Sequence, residues 1–339
     1  MIGYKTSGRT KYFDNKTGSL TYFFRWRKIL KIMKTTAYAD NRGQKKQILA
    51  PLLPGLARLA VLLFFAVIGP GAGFICPPAA HGENRELTLW IHPYLPATEL
   101  TNRFTPLADY LADELGRPVR VRVQQTYRAH IDFVGRDQAD LAFMGPAPYV
   151  IMRRTYGDKP LLAMLEEDGR PFFPGMIIVR EDSRYNNLTD LKGESFAFGD
   201  INSTMGHVAP RALLEQAGVS LDDLGHYDFL NSHHDVALGV LGGYFSAGAV
   251  KDEVFYAYRP RGLRALATTP LIPDHLFLTR EDLPASLVER LRKALLAINQ
   301  HPLKAEILSA IKGSATGLVA VEPEYYDILD EMLESFEGE

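Results

Sequence analysis

Cysteine is almost absent: Cys76 is the single thiol in 339 residues, and it lies in the first quarter of the chain. From Glu83 onward there is none, which excludes disulfides, a cysteine nucleophile and a cysteine-ligated metal there. A long apolar stretch is lacking too. The run at 59–68 has ten residues, about half of what a membrane-spanning helix needs. Positive charge is scarce where a nucleic-acid binder would need it: from Glu83 onward 25 Lys and Arg face 38 Asp and Glu, a formal balance of −13. Duplex binding depends on basic side chains that neutralise phosphates, so that class is excluded. Any anion bound here must be held by local dipoles. The chain has no internal repeat, low-complexity tract or Gly-x-Ser-x-Gly elbow.

The overall balance of −2 hides a basic beginning, with 12 Lys and Arg against two acids in residues 1–50. The apolar run, Gly69-Pro70-Gly71 and Ala80-His81-Gly82 follow, the order of a secretory signal peptide with its cleavage region. An uncleaved membrane anchor is the alternative. Met33 is a more ordinary start for such a signal than Met1. Gly73-Phe74-Ile75 before Cys76 fits a lipid-attachment site poorly. The reading is a basic extension plus signal over 1–82 and an exported body beyond it.

That body alternates strands and helices. Leu87, Leu89 and Ile91 have the period of a strand. Phe104, Leu107, Leu111 and Leu115 have helical spacing, ended by Gly116 and Pro118. Further strands are expected over 119–123, 140–144, 161–165, 175–179, 195–198, 227–230, 246–250 and 263–267, with helices between them. The last third reads as helical, over 284–299 and 323–336. Such alternation predicts an α/β architecture with a mainly parallel sheet. Ligands of such sheets gather at the carboxyl ends of strands.

One stretch stands out, Phe198-Gly199-Asp200-Ile201-Asn202-Ser203-Thr204-Met205-Gly206-His207. It reads as a strand end, a turn and the start of a helix over 205–216. Ser203 or Thr204 caps the helix, and its first N–H groups lack intrahelical acceptors and carry the positive end of the dipole. Such an end holds an anion. An ordinary N-cap is the other reading of the same residues.

Four further segments accompany it in order: Phe104-Thr105-Pro106-Leu107-Ala108-Asp109-Tyr110-Leu111, Asp140-Leu141-Ala142-Phe143-Met144-Gly145-Pro146, residues 187–193, and Pro270-Leu271-Ile272-Pro273. With these motifs the chain resembles the periplasmic binding proteins of phosphonate, phosphite and phosphate ABC transporters, over about 87–298. The resemblance implies a type II periplasmic binding protein fold, two α/β lobes closing on a ligand. Lobe 1 would be discontinuous, 83–178 and 266–339, and lobe 2 would be 179–265, with crossings near 175–180 and 263–269. It further implies a monomer that captures a small oxyanion and presents it to an inner-membrane permease, with no catalysis, cofactor or nucleic acid.

By position, the resemblance places the hydroxyls of Ser203 and Thr204, and the amides of Thr204, Met205 and Gly206, on the ligand's oxygens. It also places there the phenol of Tyr127 and an imidazole of His234, leaving His233 in solvent. Several features depart from the family's pattern. Met205 replaces a serine, Phe173 stands for a tyrosine, and Ser246 for an aspartate. Of two acidic positions that hold an amine in aminoalkylphosphonate binders, one falls on Glu253 and the other on His275. These departures favour phosphate, phosphite or an amine-free phosphonate. Three other readings stay open: an exported zinc protein using three of His207, His233, His234 and His275; a hydrolase built on Ser203 and His234; and a membrane-tethered oxyanion sensor, although no kinase or cyclase module follows before Glu339.

Overall fold

The structure is a computed structural model, and it describes residues 85–336. The basic extension, the apolar run, Cys76 and the signal-peptide reading all lie outside the described residues.

The chain runs β1 (Leu87–Ile91), α1 (Ala97–Leu115), β2 (Val119–Val123), α2 (Tyr127–Gly135), β3 (Leu141–Met144), α3 (Pro146–Tyr156) and β4 (Leu161–Glu167). After the short β5 (Phe172–Phe173) come β6 (Gly175–Arg180), β7 (Ser195–Phe198), a wide turn at Thr204–Val208 and α4 (Ala209–Gln216). Then follow β8 (His226–Phe229), α5 (His233–Leu241), β9 (Ala247–Lys251), α6 (Asp252–Tyr258) and β10 (Leu263–Thr268). The last segment holds β11 (Ile272–Pro273), β12 (Leu276–Thr279), α7 (Ala285–Ala297), α8 (Lys304–Ile311), β13 (Ala315–Val319) and α9 (Asp327–Phe336).

Two sheets result. One has the order β13-β4-β12-β3-β1-β2 and the other β10-β6-β9-β7-β8. Each has the same plan: β1 lies between β2 and β3 as β7 lies between β8 and β9, and the strand arriving from the other sheet, β12 or β6, runs antiparallel beside β3 or β9. This repeated order is the type II α/β arrangement. The parallel ladders are β1–β2 and β1–β3 in one sheet and β7–β8 and β7–β9 in the other, and the remaining ladders are antiparallel, so both sheets are mixed where a mainly parallel one was expected.

The expected lobe boundaries at 178/179 and 265/266 fall inside β6 and β10, and both strands pair within the second sheet. The chain passes between sheets instead at the β5–β11 ladder, where Ile272 faces Phe173, and at Thr269, whose amide and hydroxyl bond Gly175.

A wholly helical last third is also corrected. β12 and β13 complete the first sheet. All four residues of β12 are buried, so it shows no alternation, and β13 is a short edge strand; neither carries a period-2 signal.

Helices cover both faces of the first sheet. Leu100, Phe104, Leu107 and Leu111 of α1 pack with Leu291 and Leu295 of α7. On the opposite face Tyr149 and Val150 of α3 meet Tyr326, Leu329 and Met332 near the chain's end. Met205, Val208, Ala209 and Ala212 of the second lobe join that same cluster. The lobes therefore meet through apolar contact beside the cleft. Among the described residues no helix is long and apolar enough to cross a membrane.

Candidate oxyanion site

The anion loop begins where β7 ends. The expected helix over 205–216 starts with a wide turn: Val208 N–H donates to Ser203 O five residues back, and regular α-helix begins only at Ala209, beside Pro210. Two glycines dictate this path. A Cβ on Gly206 would lie 3.1 Å from the Gly199 Cα, and Gly199 N–H donates to Gly206 O at 2.9 Å. Turns of this kind inside helices occur often at functional sites.

Ser203 caps the turn, its Oγ accepting from Gly206 N–H at 3.0 Å. That amide, which the resemblance places on a ligand oxygen, is engaged by the cap here. The N–H groups of Thr204 and Met205 come first in the turn and have no intrahelical acceptor. Met205 itself turns toward the crossing: a Cβ on Gly175 would stand 2.8 Å from its Sδ, and the Thr269 hydroxyl donates to that sulfur at 3.7 Å.

A cavity of about 20 Å³ opens in front of this loop, somewhat more than the roughly 10–15 Å³ that one water needs. Helix starts surround it. Tyr127 opens α2, Gly145 caps α3, Ser203 and Thr204 open the wide turn, and His233 opens α5; all of them line the cavity. Phe173, Met205, His92, Tyr94, Pro148, Lys251 and His275 complete the wall. The starts of three helices and of the wide turn therefore meet at this wall, and helix starts carry the partial positive charge that suits an anion. Lys251 is the one formal cation in the lining, and no carboxylate lines it.

The imidazoles are neutral donors and acceptors. Burial, then Lys251 and His234, push His233 down to about 3; burial, then Lys251 and Lys312, push His275 down to about 3. The Lys251 amide donates to His233 Nδ1 at 3.3 Å. That contact leaves the His233 proton on Nε2, a donor suited to an oxyanion. His275 Nδ1 bonds Asp274 Oδ1 at 2.7 Å, so its Nε2 is an acceptor for a protonated ligand oxygen. His92 is buried with neither ring nitrogen bonded. A buried polar side chain without a partner at a cavity wall marks a place for a ligand group.

The lobes are joined across the cavity. Ala147 N–H donates to Thr204 Oγ1 at 2.9 Å, and Tyr127 lies in hydrogen-bonding contact with Ser203. Burial raises the Tyr127 phenol, which stays protonated and able to donate. On the other side, Arg103 of α1 bonds Glu253 of α6 at 2.8 Å, and Lys312 bonds Asp252 at 3.0 Å.

Of the residues singled out in the sequence, Tyr127, Phe173, Ser203, Thr204, Met205 and His275 are brought together here. Three are not. His234 lies outside the lining, its Nδ1 3.2 Å from the Tyr258 hydroxyl, while its neighbour His233 is only 5% exposed and faces in. Adjacent helix residues point about 100° apart, and spacing alone does not say which faces inward. Glu253 sits behind the wall, bonded to Lys251 and Arg103. Gly206 serves the close backbone approach.

Sequence reading also missed His92, Tyr94, Gly145 and Lys251. Lys251 had a signal, a lysine ending the small apolar strand Ala247-Gly248-Ala249-Val250 where strand carboxyl ends collect ligands. His207 is turned away between Phe198 and Phe229. Among the described residues no group of three or more His, Cys, Asp or Glu side chains is arranged to hold a metal ion.

A two-lobed fold with an anion-seeking cavity between the lobes defines a solute-binding protein. Residues 89–326 match the family of periplasmic substrate-binding proteins of phosphonate ABC transporters, and the chain belongs to that family. Among curated relatives, the phosphate-import protein PhnD of Mycolicibacterium smegmatis is 26% identical over 231 residues, covering 63% of this chain and 72% of its own. The probable ABC transporter phosphite binding protein of Prochlorococcus marinus is 24% identical over 213 residues, 59% of this chain and 71% of its own. The methylphosphonate complex of that organism's PhnD1 superposes with a TM-score of 0.67 at 22% identity, covering 74% of this chain and 98% of that one. A phosphonate-transporter binding protein of Pseudomonas aeruginosa superposes at 0.66 with 18% identity, over 74% and 85%. The family works with ABC permeases and is periplasmic.

Proposed function

We propose that this chain captures a small tetrahedral phosphorus oxyanion, phosphate, phosphite or an amine-free phosphonate, and presents it to its permease without making or breaking a bond. It does so as a monomer, in the periplasm, after export through its N-terminal segment. The observation that carries this reading is the cavity wall: the starts of three helices and of the wide turn, one lysine and no carboxylate. Preorganised donors around an oxyanion are each stronger than their neutral counterparts. In this reading Thr204 and Met205 N–H, the hydroxyls of Ser203, Thr204 and Tyr127, and His233 Nε2 bind the phosphorus-bound oxygens, and Phe173 and Met205 close the apolar side. The lobes, 85–173 with 274–336 and 175–268, close by a hinge at the β5–β11 crossing. Relatives named for phosphate, phosphite and methylphosphonate support the ligand class.

A thermal-shift panel on the chain from Glu83 tests it, after carried-over ligand is removed. Phosphate, phosphite, methylphosphonate, sulfate and zinc are compared. A ligand at a hundred times its Kd adds roughly 2.7 kcal/mol. A rise with a phosphorus oxyanion supports the reading; a flat response to all of them, or a rise with zinc alone, overturns it.

A further inference from the structure

We propose that Lys251 acts as a built-in ammonium, so that the cavity selects phosphorus anions without an amine and rejects aminoalkylphosphonates of equal length. The proposal rests on the oxyanion reading above and adds its specificity. Lys251 ends β9 and is 4% exposed. Its Nζ lies 2.6 Å from Glu253 Oε2 and 4.2 Å from the centre of the Tyr94 ring. A carboxylate beside an aromatic face is the set that recognises an alkylammonium. Here both are occupied by the protein's own side chain.

No carboxylate lines the cavity beside Lys251. Glu253 is shared with Arg103 at 2.8 Å. Burial raises the Glu253 carboxyl, but Lys251 and Arg103 outweigh it and hold the group down to about 2, so it is ionised and fully paired. Asp274 is tied to the ring of His275, which faces the cavity as a neutral imidazole. A ligand ammonium would be stripped of water beside Lys251 with no carboxylate in the lining to meet it, the costly arrangement for a buried ion. An amine-free anion gains the attraction of Lys251 instead.

Propylphosphonate and 2-aminoethylphosphonate have the same chain length and differ by a methyl against an ammonium, so calorimetric titration of the purified protein with the pair isolates the charge. The native protein should prefer propylphosphonate at least about tenfold. Lys251→Ala frees Glu253 and Tyr94 and should reduce that ratio about tenfold or reverse it. If length bars both from the native cavity, Lys251→Ala, which enlarges it, must still bind the amine more tightly than the propyl compound. Should Lys251→Ala fail to fold by circular dichroism, Lys251→Met keeps the volume, removes the charge and should bring the ratio within about threefold of unity. A native protein that takes the amine as tightly as its isostere, or a ratio unchanged by the substitution, overturns the proposal. Methylphosphonate separates the two levels: its binding with an unchanged ratio removes only the role of Lys251. Loss of methylphosphonate and phosphate binding in the native protein removes the oxyanion reading itself.

Discussion

Replacing Thr204 by valine is the sharpest test of the closed site. The side chains are nearly isosteric, so packing is kept and only the hydroxyl is lost. That hydroxyl accepts the Ala147 amide across the cleft at 2.9 Å in a buried setting. In the closed form of Thr204→Val the amide is stranded, and a buried donor without a partner costs about 1–3 kcal/mol. In an open form water satisfies it. The penalty therefore falls on closure and appears in binding, as a loss of roughly 5- to 150-fold in affinity. Calorimetric titration with methylphosphonate and phosphate measures it, with ligand-free Tm as the control for folding. Thr204→Ser, which keeps the hydroxyl, should recover most of the loss. Affinity within twofold of the native protein would show that the Thr204 bond and the ligand do not share one closed state.

Three other outcomes follow from the same geometry. His233→Ala should weaken methylphosphonate binding more than tenfold, and His234→Ala should leave it within about twofold, since removing a hydrogen bond to a charged group costs about 1.5–3 kcal/mol and His234 faces away; equal effects in titration would refute the assignment. Gly175→Ala drives a Cβ to within 2.8 Å of Met205 Sδ and should cost about 1–3 kcal/mol by overpacking, read as a lowered midpoint in urea. Glu253 is held at about 2 in the fold against 4.5 ordinarily, so its contribution is present above pH 4.5 and is lost as pH falls toward 2. On the order of 3 kcal/mol is involved. Glu253→Gln should lower Tm at pH 7 and flatten the acid limb between pH 4.5 and 2; an acid limb identical to the native one would refute the pairing.

The ion pairs across the cleft give these predictions a common basis. Arg103–Glu253 and Lys312–Asp252 both link the first lobe to the start of α6, each partly or largely buried. Breaking one partner of such a pair leaves a charge with little water and no counter-ion.

The sequence by itself determined the elements whose pattern is local. Alternation marked β1 and β2, and helical spacing marked α1 and α7. The run from Phe198 to His207 carried the strand, turn and capping hydroxyl of the anion loop, because capping is set by residues within one turn of each other. The type II α/β architecture and the family were legible from motifs in their order. Tertiary structure decided what depends on distant neighbours. β12 is buried on both faces and joins the sheet only because β3 and β4 leave a place between them. His233, not His234, lines the cavity, its ring held by the Lys251 amide. Lys251 itself becomes part of the wall only when Glu253, Arg103 and Tyr94, from 94 to 253 in the chain, are brought around it. A charge can be buried only where its partners converge, and that convergence is a property of the folded chain.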